Sequence, residues 1–206
     1  VMILELNPQS IDQRQIIQIV NYLNQGGIAI VPSDTVYAVV CSLNNKKGLD
    51  SLAAYKGSAL NKLKFSLIFN DFTQLSAYTS PIDRSIFRLL KTNLPGPFTF
   101  ILNAHKNVSK LFLSKRSEMG MRIPDNAIIQ EIMKQLDNPL ASTSLHKDPE
   151  DTDSYFTDPD EIYEQFEDEF GLIVLGGSGN NVPSTIIDCS QGEINIIRQG
   201  LGILKT

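Results

Sequence analysis

Short apolar runs that alternate with amphipathic segments restrict the fold of this chain more than any other feature of its sequence. The runs predict buried strands at 27–32, 36–43, 66–70, 98–102, 120–124, 139–143, 171–177, 184–188 and 194–200. Helical spacing of apolar residues predicts helices at 46–56, 71–78, 81–93, 108–115 and 126–136. This alternation predicts a single α/β domain over residues 1–206, with helices packed on a sheet. Short turns between the last runs predict that part of the sheet is antiparallel, so that the whole sheet is mixed.

A further helix is predicted near the N-terminus, where apolar residues also recur at helical spacing. Ser10 is its predicted N-cap, because Gln13 follows three residues later as in a capping box. Gly26 and Gly27 are predicted to end this helix.

The two cysteines, Cys41 and Cys189, lie far apart in apolar runs. This placement is typical of reduced core thiols and not of a disulfide framework or a zinc site. No apolar stretch approaches the roughly 18 residues of a membrane-spanning helix. No basic segment followed by an apolar one marks a signal peptide. The sequence therefore predicts a cytoplasmic protein that does not bind membranes.

The formal net charge of −5 conceals an uneven distribution. Residues 148–169, here called the acidic segment, contain 11 acidic residues and no Lys or Arg. Without them, 12 acidic residues face 18 basic ones, a net charge of +6. Basic surface attracts nucleotides or nucleic acid. Ile162, Phe166 and Phe170 have helical spacing, so one face of a helix here is predicted to dock while the other is solvated.

Three lysines, Lys56, Lys62 and Lys64, lie in the stretch YKGSALNKLKF (55–65), directly before a predicted strand. No acid lies among them, and such a cluster is either a solvated turn or an anion-binding site. Because ligands of α/β sheets bind at the ends of strands, an anion-binding site stays open beside the solvated turn.

Three other polar stretches follow or end predicted strands. VPSDTVY (31–37) and STSLH (142–146) offer hydroxyls, which suit phosphate or ribose, although the first is also typical of an ordinary turn. In GMRIPD (120–125), Arg122 has apolar neighbours and therefore needs an anionic partner. Because Asp125 is predicted to point away and few other acids are nearby in sequence, a ligand is favoured over a structural ion pair.

The glycine-rich stretch GGSGNN (176–181) is the kind of loop that presents backbone N–H groups to an anion. It lacks the lysine and the following helix of a P-loop, which argues against a Walker-type site. No arrangement typical of a nucleophilic enzyme or a protein metal cage is visible. A divalent ion that takes part is predicted to arrive with phosphates.

Seven stretches, in this order along the chain, resemble the YrdC/YciO family: VPSDTVY, YKG, PGPFTFIL, GMRIPDN, PLASTS, PSTIID and IIRQG. The characterised members of the family are threonylcarbamoyl-AMP synthases. The resemblance implies a twisted, mixed α/β sheet with a basic concave face, the YrdC-like (YrdC/RibB) fold. It also implies a nucleotidyltransferase that converts L-threonine, bicarbonate and ATP with Mg²⁺ into threonylcarbamoyl-AMP and pyrophosphate, for threonylcarbamoyladenosine formation on tRNA.

The resemblance also implies roles for individual residues. The implied substrate-binding residues are Ser33, Thr35, Tyr37, Arg122 and Ser184. The implied nucleotide-binding residues are Lys56, Thr99, Ser142, Ser144 and Arg198. Of these, Arg122 would hold the amino-acid carboxylate and Lys56 would offset charge that develops on the phosphates, so both are expected to be catalytic.

Two positions depart from the family signature: Ser58 replaces an arginine and His146 replaces an asparagine. The stretch STSL (142–145) is more similar to the YciO branch than to the YrdC branch. Three functions therefore stay open. They are an adenylate-forming synthase, a non-catalytic protein that binds double-stranded RNA or tRNA, and a nucleotide binder with a regulatory role.

Overall fold

Every strand predicted from the sequence is present in the computed structural model, which describes residues 1–148 and 150–206. The strands are β1 (Met2–Glu5), β2 (Ala29–Val31), β3 (Ala38–Ser42), β4 (Ser66–Ile68), β5 (Phe98–Asn103), β6 (Glu118–Arg122), β7 (Leu140–Ser144), β8 (Leu172–Leu175), β9 (Thr185–Asp188) and β10 (Asn195–Arg198). The helices are α1 (Gln13–Asn24), α2 (Lys46–Tyr55), α3 (Phe72–Tyr78), α4 (Arg84–Asn93), α5 (Lys106–Leu111), α6 (Ala127–Gln135) and α7 (Pro159–Phe166). A short 3-10 helix covers Leu60–Lys62.

The strands form one sheet in the order β1-β8-β2-β3-β7-β4-β6-β5-β9-β10. The pairs β1/β8, β2/β8, β4/β6 and β5/β9 are parallel. The other neighbours are antiparallel, including β9 and β10, which follow one another along the chain. The predicted mixed α/β fold is therefore confirmed.

Two details of the N-terminal region differ from the prediction. The capping box at Ser10 is wrong, because α1 begins later and Asp12 is its N-cap, accepting a hydrogen bond from the backbone N–H of Arg14 at 2.9 Å. Strand β1 was not predicted. It pairs in parallel with β8, far away in sequence, so its partner leaves no trace in the local pattern.

Two apolar clusters cover the faces of the sheet. Helices α1 and α6 pack on one face, through residues such as Ile16, Leu23 and Ile132. The remaining α-helices bury apolar residues in the cluster on the other face, which also contains Ile162 and Phe166 of α7. The predicted docking of the helix in the acidic segment is thus confirmed.

The layer formed by α1 and α6 covers only part of its face. Among the described residues, this cluster contains side chains from β2, β3 and β8 but none from β5, β6, β9 or β10. Over these last strands, partly exposed residues such as Ile101 and Ile186 occupy the same face. The sheet therefore has an open half-face, and this is where the candidate site lies.

Both cysteines are free and buried, as the sequence predicts. Burial raises the pKa of Cys41 to about 12 and that of Cys189 to about 11, so neither thiol is a nucleophile near neutral pH. No helix in the described parts of the chain has the length and the apolar composition needed to cross a membrane.

Candidate functional site

A buried ion pair forms the centre of the site. Arg122, the last residue of β6, donates through Nη2 to Oδ1 of Asp34 at 2.6 Å, and the two side chains are only 8 % and 7 % exposed. The same nitrogen lies 3.4 Å from Oγ1 of Thr35. Burial lowers the pKa of Arg122, and Asp34 opposes this shift, so the pair is stable only as a unit.

The expectation that Arg122 lacks an acidic partner within the protein is therefore wrong. Asp34 is 88 residues away in sequence, so local sequence gave no indication of it. Even so, the ion pair does not use the whole guanidinium, since Nε of Arg122 is buried without a hydrogen-bond partner among the described residues. A buried donor without an acceptor is costly, and a ligand oxygen would satisfy it.

Asp34 is held in place from a second side. Its Oδ2 accepts from the backbone N–H of Asp125 at 2.9 Å. In the same turn, Oγ of Ser33 accepts from the N–H of Thr35 at 3.1 Å and donates to the carbonyl of Val36 at 2.7 Å. This hydroxyl turn rigidly positions the carboxylate beside Arg122.

A cleft of about 450 Å³ lies beside the ion pair. One wall is Ser33, Asp34 and Thr35, and the other is Thr157 with residues 178–181. The cleft is lined by hydroxyls, amides and a single charged group, the Asp34 carboxylate. Such a lining suits a small polar ligand that carries an amine.

Tyr37 is hydrogen-bonded to the glycine-rich loop, which forms one wall of this cleft. Its side chain is 1 % exposed. Its hydroxyl donates to the carbonyl of Gly177 at 2.6 Å and accepts from the N–H of Gly176 at 3.1 Å. The hydroxyl therefore holds the loop with its donor and one acceptor lone pair, and a direct contact between Tyr37 and a substrate stays a prediction.

Part of the glycine-rich loop is engaged by the protein, and the prediction that the loop binds an anion stays a prediction. The N–H of Gly179 donates to the carbonyl of Thr157 at 2.8 Å, and that of Asn180 donates to the carbonyl of Thr35 at 3.1 Å. The first bond lies within one wall of the cleft, and the second joins that wall to the opposite one.

We expect Tyr37→Phe to lower the free energy of unfolding by about 1–3 kcal/mol, because the N–H of Gly176 is left without an acceptor. Hydrogen exchange should show faster exchange in residues 176–181 than in the wild type. Tyr163→Phe, on the exposed face of α7, is the matched control and should change neither quantity. Unchanged exchange of the loop in Tyr37→Phe would contradict this role.

A second polar group lies on the open half-face. Oγ1 of Thr99 and Oγ of Ser184 are 2.7 Å apart, and both residues are buried. Arg198, on the edge strand β10, donates to the carbonyl of Ser184 from Nε at 3.2 Å and from Nη2 at 2.8 Å. Arg198 makes no salt bridge within the described residues, so its charge is available to a ligand.

Two serines of β7 lie on the same face. The register places Ser142 opposite Ser66, and Oγ of Ser142 donates to the carbonyl of Ser66 at 3.1 Å. Ser142 is 3 % exposed, whereas Ser144, at the end of the strand, is partly exposed. Of the two, only Ser144 is open to a ligand, and Ser142 acts by holding the neighbouring strand.

Lys56 follows α2 and is largely exposed, with no acid paired to it in the described part of the chain. Partial burial of its ammonium group lowers the pKa of Lys56. Lys56 and Arg198 both lower the pKa of His146, and Arg198 also lowers that of Arg122. Lys56 and Arg198, which are distant in sequence, therefore both lie near His146. Lys62 and Lys64 lie beyond Lys56, in and after the 3-10 helix.

Sequence reasoning missed several residues of the cleft. Asp34 was visible only as a carboxylate in a turn, and Thr157 lies in the acidic segment, which gave no sign of contributing to a site. Asn180 and Asn181 belong to the glycine-rich stretch, so composition did indicate their loop. No group of three or more His, Cys, Asp or Glu residues in the described ranges is arranged to hold a metal ion.

The fold and site define a class of protein: a mixed α/β sheet with an open basic half-face beside a hydroxyl-lined cleft. The family model named Sua5/YciO/YrdC, described as "Telomere recombination", matches residues 21–200, and the chain belongs to this family. Escherichia coli YciO is 35 % identical over 202 residues, covering 97 % of this chain and 96 % of YciO. The suspected membership, nearer to YciO, is therefore confirmed.

Solved structures agree. The crystal structure of E. coli YciO superposes with a TM-score of 0.89 at 33 % identity, covering 99 % of this chain and 98 % of YciO. Sua5 from P. abyssi, complexed with L-threonine, has a TM-score of 0.85 at 21 % identity, covering 97 % of this chain and 58 % of that protein. The second likeness shows a shared fold.

Proposed function

We propose that this protein is an ATP-dependent nucleotidyltransferase that resembles threonylcarbamoyl-AMP synthase. Its substrates would be L-threonine, bicarbonate and ATP with Mg²⁺. The observation that carries the proposal is Arg122, which is buried, has an unpartnered Nε among the described residues, and is paired with Asp34 in the lining of the cleft. Membership in a family related to these synthases supports it.

The cleft suits the amino-acid end of such a reaction. A free α-amino acid carries one carboxylate and one amine, and the site offers one guanidinium and one carboxylate, on Arg122 and Asp34. The hydroxyls of Ser33 and Thr35 add partners for a short polar side chain. Sua5 from P. abyssi binds L-threonine on the same fold, which makes threonine the first amino acid to test.

The polar and basic side chains near the end of β7 and His146 suit the phosphate end of the reaction. Lys56 and Arg198 supply positive charge, and Ser144 supplies a hydroxyl at the end of β7. Transfer of an adenylyl group depends on positioning and charge neutralisation more than on a protein nucleophile. In the proposed reaction the threonine amine attacks the carbon of bicarbonate, and loss of water gives the carbamate. A carbamate oxygen then attacks the α-phosphorus of ATP, and pyrophosphate leaves.

We expect Lys56→Ala to weaken MgATP binding by about 1.5–3 kcal/mol, the usual range for hydrogen bonds to charged groups. Isothermal titration calorimetry measures this directly. Lys46→Ala is the matched control. Lys46 is the first residue of α2 and Lys56 follows the last one, so the two lysines are about 15 Å apart along the helix axis. Equal affinities of the two variants would refute the role of Lys56, and no MgATP binding by the wild type would refute the proposed function.

Binding of double-stranded RNA or tRNA stays a prediction, supported by the net charge of +6 outside the acidic segment. At the site itself the charge is less favourable to a polyanion. Burial, Lys56 and Arg198 lower the pKa of His146, and Asp151 and Asp153 are close enough to oppose this shift. A small nucleotide avoids these acids more easily than an RNA backbone does, so the nucleotide is the better-supported ligand.

A further inference from the structure

His146 has an unusual environment for a histidine in a polar site. Its Nδ1 is buried and has no hydrogen-bond partner among the described residues. Its Nε2 is not among the buried unpartnered atoms, and the ring as a whole is partly exposed. One nitrogen of the ring therefore faces protein and the other faces the surface.

The ring is also held in place. It stacks on Tyr155 with centroids 5.0 Å apart and an angle of 35° between the planes. The backbones of the two residues form an antiparallel bridge. The chain runs two residues further from Tyr155 to Thr157, a wall of the cleft, and Ser144 lies two residues before His146. His146 thus lies just beyond the end of β7, and its bridge to Tyr155 connects it to the segment that reaches the cleft at Thr157.

The burial of Nδ1 selects one tautomer. A buried N–H without an acceptor is rarer and more costly than a buried lone pair without a donor. The proton of a neutral imidazole then lies on Nε2, which leaves an N–H donor directed to the surface. An asparagine amide, the group that the family signature has at this position, also presents an N–H donor.

We propose that His146 is a ligand-contacting residue that replaces the signature asparagine as a neutral hydrogen-bond donor, through Nε2–H, to a phosphate oxygen of a nucleotide. The identity of the ligand rests on the proposed function, whereas the tautomer rests on burial alone. His146 then supplies the same kind of hydrogen-bond donor as the asparagine that it replaces.

The surrounding charges agree with a neutral ring. Burial lowers the pKa of His146, and Lys56 and Arg198 lower it further, whereas Asp151 and Asp153 oppose the shift. The stacked Tyr155 adds no charge near neutral pH, because burial raises the pKa of its hydroxyl. Above the ordinary histidine pKa of about 6.5, the ring is therefore uncharged in the free protein.

Nitrogen-15 NMR of the imidazole rings tests the tautomer. The chain has only two histidines, and His105→Asn leaves the signals of His146 alone. Asparagine is a suitable replacement because His105 is the N-cap of α5. At pH 7 we expect protonated Nε2 and unprotonated Nδ1, and MgATP should shift the Nε2 resonance. A proton on Nδ1, a cationic ring, or an Nε2 signal that MgATP leaves unchanged would overturn the inference.

Two substitutions separate the donor from the ring. His146→Asn keeps an N–H donor and loses the stack, and should bind MgATP nearly as the wild type does. His146→Phe keeps the stack and loses the donor, and should bind about tenfold more weakly or worse. Equal affinity of His146→Phe and wild type overturns the inference while leaving the proposed function intact. No MgATP binding by the wild type overturns the proposed function and the ligand contact together, and the NMR result still decides the tautomer.

Discussion

Replacing Asp34 by alanine is expected to lower the free energy of unfolding by about 3–5 kcal/mol, the usual cost of removing one partner of a buried ion pair. Arg122 would be left charged and almost fully buried, with Thr35 as its remaining partner. The N–H of Asp125 would also lose its acceptor. Since a typical domain is stable by only about 5–15 kcal/mol, this single change removes a large part of the total.

Urea unfolding measures the effect, and two further variants define its cause. Lys46→Ala breaks the exposed pair with Asp50, in which the side chains are 86 % and 54 % exposed, and should cost less than about 1 kcal/mol. The double substitution Asp34→Leu with Arg122→Met removes both charges and should recover most of the loss. A loss in Asp34→Ala no larger than in Lys46→Ala would show that the buried pair contributes little.

Replacing Arg122 by lysine is expected to reduce L-threonine affinity about tenfold to a hundredfold, almost as much as alanine does. The reduction corresponds to about 1.5–3 kcal/mol, the usual value of a charged hydrogen bond. The planar guanidinium can bind Asp34 with Nη2 while its free Nε serves a ligand carboxylate. An ammonium group is a point charge without this fork, so it satisfies Asp34 and leaves the ligand unbound.

Calorimetric titration with L-threonine gives the affinity of each variant. The thermal unfolding midpoint of Arg122→Lys shows whether the variant is folded at the temperature of titration. Lys46→Ala should bind threonine as the wild type does. Threonine affinity that survives in folded Arg122→Lys would refute the assignment of Arg122 to the amino-acid carboxylate.

Much of the architecture could be predicted from sequence, since it depends on local periodicity. Apolar runs and helical spacing located every strand except β1 and placed each helix within a few residues. Helix α5 shows the limit, because it begins at Lys106, two residues before the predicted start, with His105 as N-cap. The errors lie at helix starts, which a single capping side chain determines, and at β1, which forms by pairing with a strand that is distant in sequence.

The candidate site was predicted in part. Placing polar residues at strand ends identified Arg122, Lys56 and the hydroxyl turn near Ser33, and the family resemblance added Thr99 and Ser184. What failed was the assignment of a partner to Arg122, which was sought in a ligand and found in Asp34. The support that the Tyr37 hydroxyl gives to a loop 140 residues away was not predicted.

The sequence by itself determined the mixed α/β class, the reduced core cysteines, the docked helix of the acidic segment and the family, because each depends on patterns within one stretch or on their order. Only the tertiary structure decided which polar groups meet. The sheet order brings Thr99 within 2.7 Å of Ser184, across 85 residues, and sets Arg122 against Asp34. Helices α1 and α6 cover one part of a sheet face and leave the other open. Alternation along a strand fixes which residues share a face, but strand pairing between distant segments fixes which of them are neighbours.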